Sequence, residues 1–230
     1  ERLDWFLIDR IKRKIRSIIG YDDIFENPRD NEDFCFFPLN AEPEITLYLY
    51  APFRLNQIET ARQIARSLPV GFKLYVKDHP IMYGYRTRKY YKELKKIPNV
   101  RIINSQISGY EIIKKAKLVT TISGTAGWEA TVLKKPVITF GDVFYNKLSM
   151  VKHCKTPEEL PFLIKECLRN FKHNEEELIN FLSAILEESV NIDFLDLWLE
   201  ERNFEKIKND EGTKNLTSLL ASKLGLQKGT

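Results

Sequence analysis

The chain has 230 residues, 43% hydrophobic and 30% charged, which suffices for one substantial core with a small appendage and excludes a disordered polymer. Its 36 basic and 32 acidic residues run along the whole length, so the formal charge of +4 points to no dedicated nucleic-acid surface, although a phosphate-bearing ligand is compatible with it. No run approaches the ~20 apolar residues of a membrane span, and Cys35, Cys154 and Cys167 lie far apart without metal-type spacing, as expected of reduced thiols in a cytoplasmic protein.

The chain opens at Glu1 inside a helical pattern and without a signal-peptide pattern, as expected of a portion of a longer polypeptide. From Leu3 to Ile19, the residues Leu7, Ile8, Ile11, Ile15, Ile18 and Ile19 recur at three- and four-residue steps and predict an amphipathic helix ending at Gly20. The opposite face carries Arg10, Lys12, Arg13, Lys14 and Arg16. The favoured reading is a solvated basic face on a helix that packs against the core or a missing domain; peripheral contact with an anionic membrane is the alternative. Tyr21 to Asp33, with Asn27-Pro28 and several acids, reads as a linker.

Phe34-Cys35-Phe36-Phe37-Pro38-Leu39 is a continuous apolar run, as expected for a strand buried on both faces of a parallel sheet. Ile45 to Tyr50 is either another strand or the start of a helix. Further strands are predicted at Phe72 to Val76, Val100 to Ile103, Leu118 to Ile122 and Val137 to Phe140, with a short edge strand at Met150 to Cys154. Helices are predicted between them at Asn56 to Leu68, Tyr90 to Ile97, Ser108 to Ala116 and Ala126 to Leu133. Thr156-Pro157-Glu158-Glu159 predicts a helix start, with Thr as N-cap, Pro at the first helical position and Glu three residues after the cap. Beyond Asn170 only helical patterns follow, from Glu175 to Val190, Asp193 to Glu201 and Thr213 to Leu224. The alternation predicts an α/β fold, a Rossmann-like parallel sheet flanked by helices. Residues 1–33 would be an N-terminal helix and linker, 34–170 the Rossmann-like domain, and 171–230 a helical tail.

Ligands of open α/β sheets bind outside the carboxyl ends of the strands, so the chemistry is sought there. Lys77-Asp78-His79-Pro80 follows a predicted strand. Pro80 holds the His79 backbone extended, and an imidazole beside the Lys77 ammonium suits a phosphate; the plainer reading of His79-Pro80 is a turn. Ser123-Gly124-Thr125 joins a strand to a helix, where free N–H groups and the helix dipole favour an anion. Ser and Thr are equally ordinary N-caps. Glu129 lies one turn beyond Thr125 and either reaches ribose hydroxyls or satisfies a neighbouring loop. Glu42 and Glu44 face the same edge, as acid/base groups or, slightly favoured, as loop anchors. Arg86 and Arg88 either clamp a second anion or sit in an exposed basic loop, the safer reading. His153 and His173 have no metal-type spacing, and no metal is expected.

Four segments in order carry a family resemblance: Phe36-Phe37-Pro38-Leu39 with Glu42-Pro43-Glu44, then Lys77-Asp78-His79-Pro80, then Ser123-Gly124-Thr125-Ala126-Gly127-Trp128-Glu129-Ala130, then Lys135-Pro136-Val137-Ile138-Thr139-Phe140-Gly141-Asp142-Val143-Phe144-Tyr145. From Phe34 to Leu163 the chain resembles the capsule polysaccharide biosynthesis family, which includes β-Kdo transferases. Its nucleotide-binding half is similar to those of bacterial sialyl- and polysialyltransferases and of teichoic-acid polymerases. The resemblance implies a GT-B-type glycosyltransferase of two facing Rossmann-like domains, the C-terminal one holding a CMP- or CDP-linked sugar donor and the N-terminal one approaching an oligosaccharide or glycolipid acceptor. It implies that His79 contacts donor phosphate, that Ser123, Gly124 and Thr125 cradle phosphate, and that Glu129 approaches the ribose or cytosine; Lys77 is a weaker correspondence. Asn146-Lys147-Leu148-Ser149 stands where the Kdo-transferase branch carries a Gly-Trp-Gly-type run, which leaves the sugar open. The first sheet strand begins at Phe34, so the N-terminal domain is expected to be missing, and no nucleophile is assigned. The expected protein is a cytoplasmic nucleotide-sugar-binding domain, at the inner face of the membrane if the first helix binds lipid, with no cofactor and no nucleic-acid partner. A non-catalytic scaffold module, or a nucleotide-sugar hydrolase or epimerase on the same fold, is the alternative.

Overall fold

The computed structural model describes residues 2–193 and 204–226. The chain divides into two compact units, Glu1–Asn174 and Glu175–Thr230. In the first, strands β1 (Phe34–Pro38), β2 (Lys73–Lys77), β3 (Val100–Ile103), β4 (Leu118–Thr121), β5 (Val137–Thr139) and β6 (Val151–His153) form one sheet, all parallel, in the order β3-β2-β1-β4-β5-β6. Every predicted strand is present. Phe34, Cys35, Phe36 and Phe37 are all buried because helices cover both faces of the sheet, which is why the run is continuously apolar rather than alternating.

The topology positions the site. From β1 the chain builds outward to β2 and β3, then returns across β1 to lay down β4, so the β1/β4 crevice is the switch point where open parallel sheets bind ligands. Pro38 pairs with Lys77, and the Leu39 amide donates to the Lys77 carbonyl at 2.8 Å, so the loops after β1 and β2 leave the sheet side by side.

The helices of this unit are α1 (Arg2–Ile19), α2 (Ile45–Tyr50), α3 (Gln57–Ser67), α4 (Arg88–Lys95), α5 (Gly109–Lys115), α6 (Thr125–Val132) and α7 (Leu160–Asn170). Ile45 to Tyr50 is thus a helix, with only Leu47 buried. The α3 stripe does what its periodicity predicts: Asn56 caps it by accepting from the Glu59 amide at 3.1 Å, and Ala61, Ile64 and Ala65 enter the core.

Three expectations are corrected. The α1 helix forms, but its isoleucine stripe stays exposed while Arg13 and Arg16 meet the sheet unit. The stretch read as a linker is part of the fold: Tyr21 and Ile24 are buried, and Glu26 extends the sheet beside β3 through its amide to the Ile102 carbonyl and the Asn104 amide to its own carbonyl. The α7 helix starts at Leu160 rather than after a Thr156 cap. A helix begun at Pro157 would place Pro161 in its interior, without an N–H for the Pro157 carbonyl and with its ring against it; the regular helix instead takes Pro161 in its first turn.

The second unit contains α8 (Glu175–Glu187), α9 (Phe204–Asn209) and α10 (Glu211–Lys223), the last capped by Asp210, which accepts from the Thr213 amide at 2.7 Å. The helix predicted from Asp193 to Glu201 falls, apart from Asp193, outside the described residues. Among the described residues no helix is long and apolar enough to cross a membrane.

Candidate functional site

The floor of the site is a buried ion pair. Asp78, at the end of β2, accepts from Arg86 Nη1 at 3.0 Å, from the Tyr91 hydroxyl at 2.5 Å and from the His79 amide at 2.8 Å. Burial pushes its carboxyl up, while Arg86, Tyr91 and the His79 amide hold it down. Arg86 Nη2 donates to the Asn40 carbonyl at 2.7 Å and pairs with Glu42 at 3.3 Å, and the guanidinium lies over the Tyr90 ring. Neither sequence reading of Arg86 holds: it is neither a free anion clamp nor an exposed loop residue, because both terminal nitrogens are spent on tying the loops after β1 and β2 together. Arg88 is likewise engaged, with the Gly20 carbonyl and Asp23. A buried charge hydrogen-bonded on several sides is a positioning device whose loss leaves its partner uncompensated.

On this floor His79 is raised into solvent with an extended backbone, φ −66° and ψ 133°. Its Nδ1 accepts from the Ile81 amide at 3.3 Å. An acceptor at Nδ1 fixes the neutral ring as the Nε2–H tautomer, so the outward nitrogen is a donor. Lys77 is buried at the same edge, with Nζ 3.4 Å from the Asp78 carbonyl; desolvation lowers its pKa against the pull of Asp78.

The turn into α6 answers the capping question. The N-cap is Gly124, and no side chain caps the helix. Ser123 Oγ accepts from Asn40 Nδ2 at 3.2 Å, and Thr125 Oγ1 donates to Glu129 Oε1 at 3.3 Å. The Gly124 amide is taken by Thr121 Oγ1, and the Gly127 amide by the Gly124 carbonyl. The first two helical amides, Thr125 and Ala126, have no intrahelical acceptor and point their dipoles at whatever lies before the helix. Tyr145 clamps the turn, its hydroxyl donating to the Gly124 carbonyl at 2.7 Å. Gly127 makes room for that ring, since a Cβ there would stand 2.5 Å from the Tyr145 oxygen.

These segments converge. Two adjoining lobes open at the carboxyl edge, of about 360 and 390 Å³, and Pro38, Leu39, His79, Thr125 and Ala126 line both. The first lobe adds Lys77, Pro80, Tyr110, Ile113 and Glu129; the second adds Asn40, Glu44, Thr46, Ser123 and Gly124. Glu44 is anchored by Asn40 Nδ2 at 3.2 Å and by the Thr46 hydroxyl, and still borders the second lobe, whereas Glu42 is consumed by Arg86 and Gln57. A row of neutral donors, one imidazole N–H and two helix-start amides, thus runs between an apolar wall and a hydroxyl-rich pocket. Such an arrangement has the chemistry to receive an anion at the donors, with an apolar group on one side and a hydroxylated one on the other.

Sequence reasoning missed Asn40, Asp78 and Tyr145. Asp78 stood inside a motif singled out for its neighbours, and its closeness in sequence to Arg86 and Tyr91, 8 and 13 residues further on, was the available signal. Nothing local marks Tyr145 as the partner of Gly124. Among the described residues no group of three or more His, Cys, Asp or Glu side chains is gathered as a metal-ligand set.

The model of the capsule polysaccharide biosynthesis protein family matches residues 14–155. Protein FixF of Sinorhizobium fredii (strain NBRC 101917 / NGR234) is 30% identical over 121 residues, 51% of this chain and 29% of FixF. Among solved structures, Thermosulfurimonas dismutans KpsC, beta Kdo 2,7 transferase, aligns with a TM-score of 0.46 at 20% identity over 72% of this chain and 53% of that one. The E. coli heptosyltransferase WaaC with ADP-2-deoxy-2-fluoro heptose aligns with a TM-score of 0.38 at 13% identity over 69% and 45%. The chain therefore spans less than a third of FixF and about half of these two structures. The matched segment takes in more than half of the residues, from within α1 to just past β6, and the chain belongs to the capsule polysaccharide biosynthesis family.

Proposed function

We propose that this chain is the donor-nucleotide-binding half of a GT-B-type glycosyltransferase of capsule or surface polysaccharide synthesis, taking a CMP- or CDP-linked sugar. The observation that carries the reading is the convergence of His79 and the α6 start on one cleft at the switch point. His79 Nε2–H and the Thr125 and Ala126 amides donate to donor phosphate oxygens. The nucleoside lies in the lobe with Tyr110, Ile113 and Glu129, and the sugar in the lobe with Asn40, Glu44 and Ser123. An oligosaccharide or glycolipid acceptor approaches from a second, facing domain. The reading calls on no cofactor beyond the nucleotide-sugar substrate. We place the protein in the cytoplasm, in keeping with three buried free thiols, of which burial pushes Cys35 and Cys167 up to about 12.

Calorimetric titration of CMP, CDP and UDP tests it. A cytidine nucleotide should bind, and His79→Ala should weaken it roughly 10- to 150-fold, the worth of one charge-assisted hydrogen bond, with the melting temperature unchanged because the ring is exposed. Failure of all three nucleotides to bind, or wild-type affinity in the variant, overturns the reading. Binding without sugar transfer by the intact polypeptide marks a scaffold, and release of free sugar marks a hydrolase.

A further inference from the structure

The first helix is mounted on the sheet unit by its polar side. Arg13 lies 3.9 Å from the centroid of the Tyr85 ring, and Arg16 Nη1 donates to the carbonyls of Gly84 at 3.0 Å and Tyr85 at 2.7 Å. Gly84, at φ +81°, admits the helix so closely that a Cβ would stand 3.1 Å from the Arg13 carbonyl oxygen and 3.4 Å from Ser17 Cβ. The opposite side, Leu7, Ile8, Ile11, Ile15, Ile18 and Ile19, is left between 49% and 75% exposed, which is far more apolar surface than an isolated side chain presents.

The borders of that stripe decide what covers it. At 100° per residue, Lys12 flanks the edge made by Ile8, Ile15 and Ile19, and Arg10 with Lys14 flanks the edge made by Leu7, Ile11 and Ile18. All three cations are exposed. The helix holds six basic and two acidic residues, so its excess of four equals the net charge of the entire chain and the remainder is balanced. The excess positive charge of the chain is therefore carried by the helix that bears this apolar stripe. A strongly amphipathic helix of low mean hydropathy, cationic along both borders, matches the plane of an anionic bilayer, with side chains in the acyl boundary and ammonium groups at the headgroups.

We propose that α1 lies in the surface of an anionic membrane, Ile11 and Ile15 at its centre, and holds the sheet unit against the bilayer through Arg13 and Arg16. This inference is independent of the nucleotide site. Co-sedimentation of the full chain with phosphatidylcholine vesicles, with and without phosphatidylglycerol, tests it. Binding is expected with phosphatidylglycerol only and should fall as salt is raised. Lys12→Glu with Lys14→Glu should lower partitioning by roughly tenfold or more. Ile11→Glu with Ile15→Glu should abolish it while leaving the thermal transition in place, since neither residue contributes to the core. Absence of binding to the anionic vesicles, or binding that survives the isoleucine substitutions, overturns the proposal. So does a soluble dimer that the same substitutions dissolve and that ignores vesicles, because the stripe would then be covered by a second copy.

Discussion

The two ends of the sheet carry cavities of opposite character. At the amino edge lies the larger, about 830 Å³, rimmed by Asp30, Glu32, Asp33, Lys73, Lys115 and Lys117. Its charges answer one another: Lys115 pairs with Asp30 at 2.7 Å, Lys117 with Asp33 at 3.7 Å, and Glu32 with Arg101 Nε at 2.7 Å. At the carboxyl edge each lobe is less than half that size; Lys77, Glu44 and Glu129 border the lobes, while the paired charges of Asp78 and Arg86 are sunk beneath the floor and hold up a row of imidazole and backbone donors. The proposed site rests on donors left open by the fold rather than on volume.

The contrast is most exposed to failure at Arg86. Arg86→Met should cost about 3–5 kcal/mol in urea unfolding, because it strands the Asp78 carboxylate in a site 2% exposed to solvent. Nucleotide affinity should fall with it, since the Asp78 carboxylate also anchors the His79 amide. Lys115→Met at the other edge should change neither melting nor nucleotide binding. Equal destabilisation by the two substitutions would abolish the distinction between a structural charge floor and a solvated rim.

Much of this was legible in the residues, and the omissions have physical causes. The segments that line the cleft could be found because each sits where an apolar run stops, and parallel strands put all such stops on one edge. Arg86 could not be placed, because an arginine in a polar loop looks the same whether it meets a substrate or a buried aspartate 8 residues away in sequence. The helices α1 and α3 show the same limit. Both have an apolar face at helical spacing, yet Ile64 is fully buried and Ile11 is 57% exposed. Periodicity records that one side of a helix avoids water, and only the tertiary structure says what that side meets. The Thr156 cap failed for a nearer reason: Pro161, four residues past Pro157, vetoes the helix that the cap would have started.

A middle-sized effect is expected at the clamp on the turn into α6. Gly→Ala inside a helix normally stabilises by up to about 1 kcal/mol. Gly127→Ala should do the reverse, by about 1–3 kcal/mol of overpacking, because the new Cβ meets the Tyr145 hydroxyl at 2.5 Å and Thr121 Cγ2 at 2.8 Å. Displacing that ring removes its bond to the Gly124 carbonyl, so cytidine nucleotide affinity should drop as well. Gly109→Ala, where nothing lies within 4 Å, should be neutral or mildly stabilising in the same thermal and titration measurements. If both substitutions behave alike, the clamp plays no part in shaping the turn.

The smallest effect separates the edges by pH. Burial pushes Glu32 up, but hydrogen bonds from Arg101 and Tyr75 and the nearby positive charges of Arg101 and Arg29 outweigh it, and the net displacement is downward. A carboxyl whose folded pKa lies below its unfolded one stabilises the fold fully above the ordinary glutamate range and loses that contribution as the pH falls through the folded value. Arg101→Met removes the main cause, so wild type and variant should differ by about 1 kcal/mol near neutral pH and converge in acid, below the pKa Glu32 has in the folded protein. Nucleotide binding should be the same in both at neutral pH, since Arg101, within β3, and Glu32, ahead of β1, lie toward the amino edge of the sheet and His79 lies beyond the carboxyl end of β2. A pH-independent gap between the two unfolding curves would mean that Arg101 contributes through its packed side chain rather than its charge. A loss of nucleotide affinity would mean that the two edges are coupled through β2 and β3, contrary to the division of labour inferred from their charges.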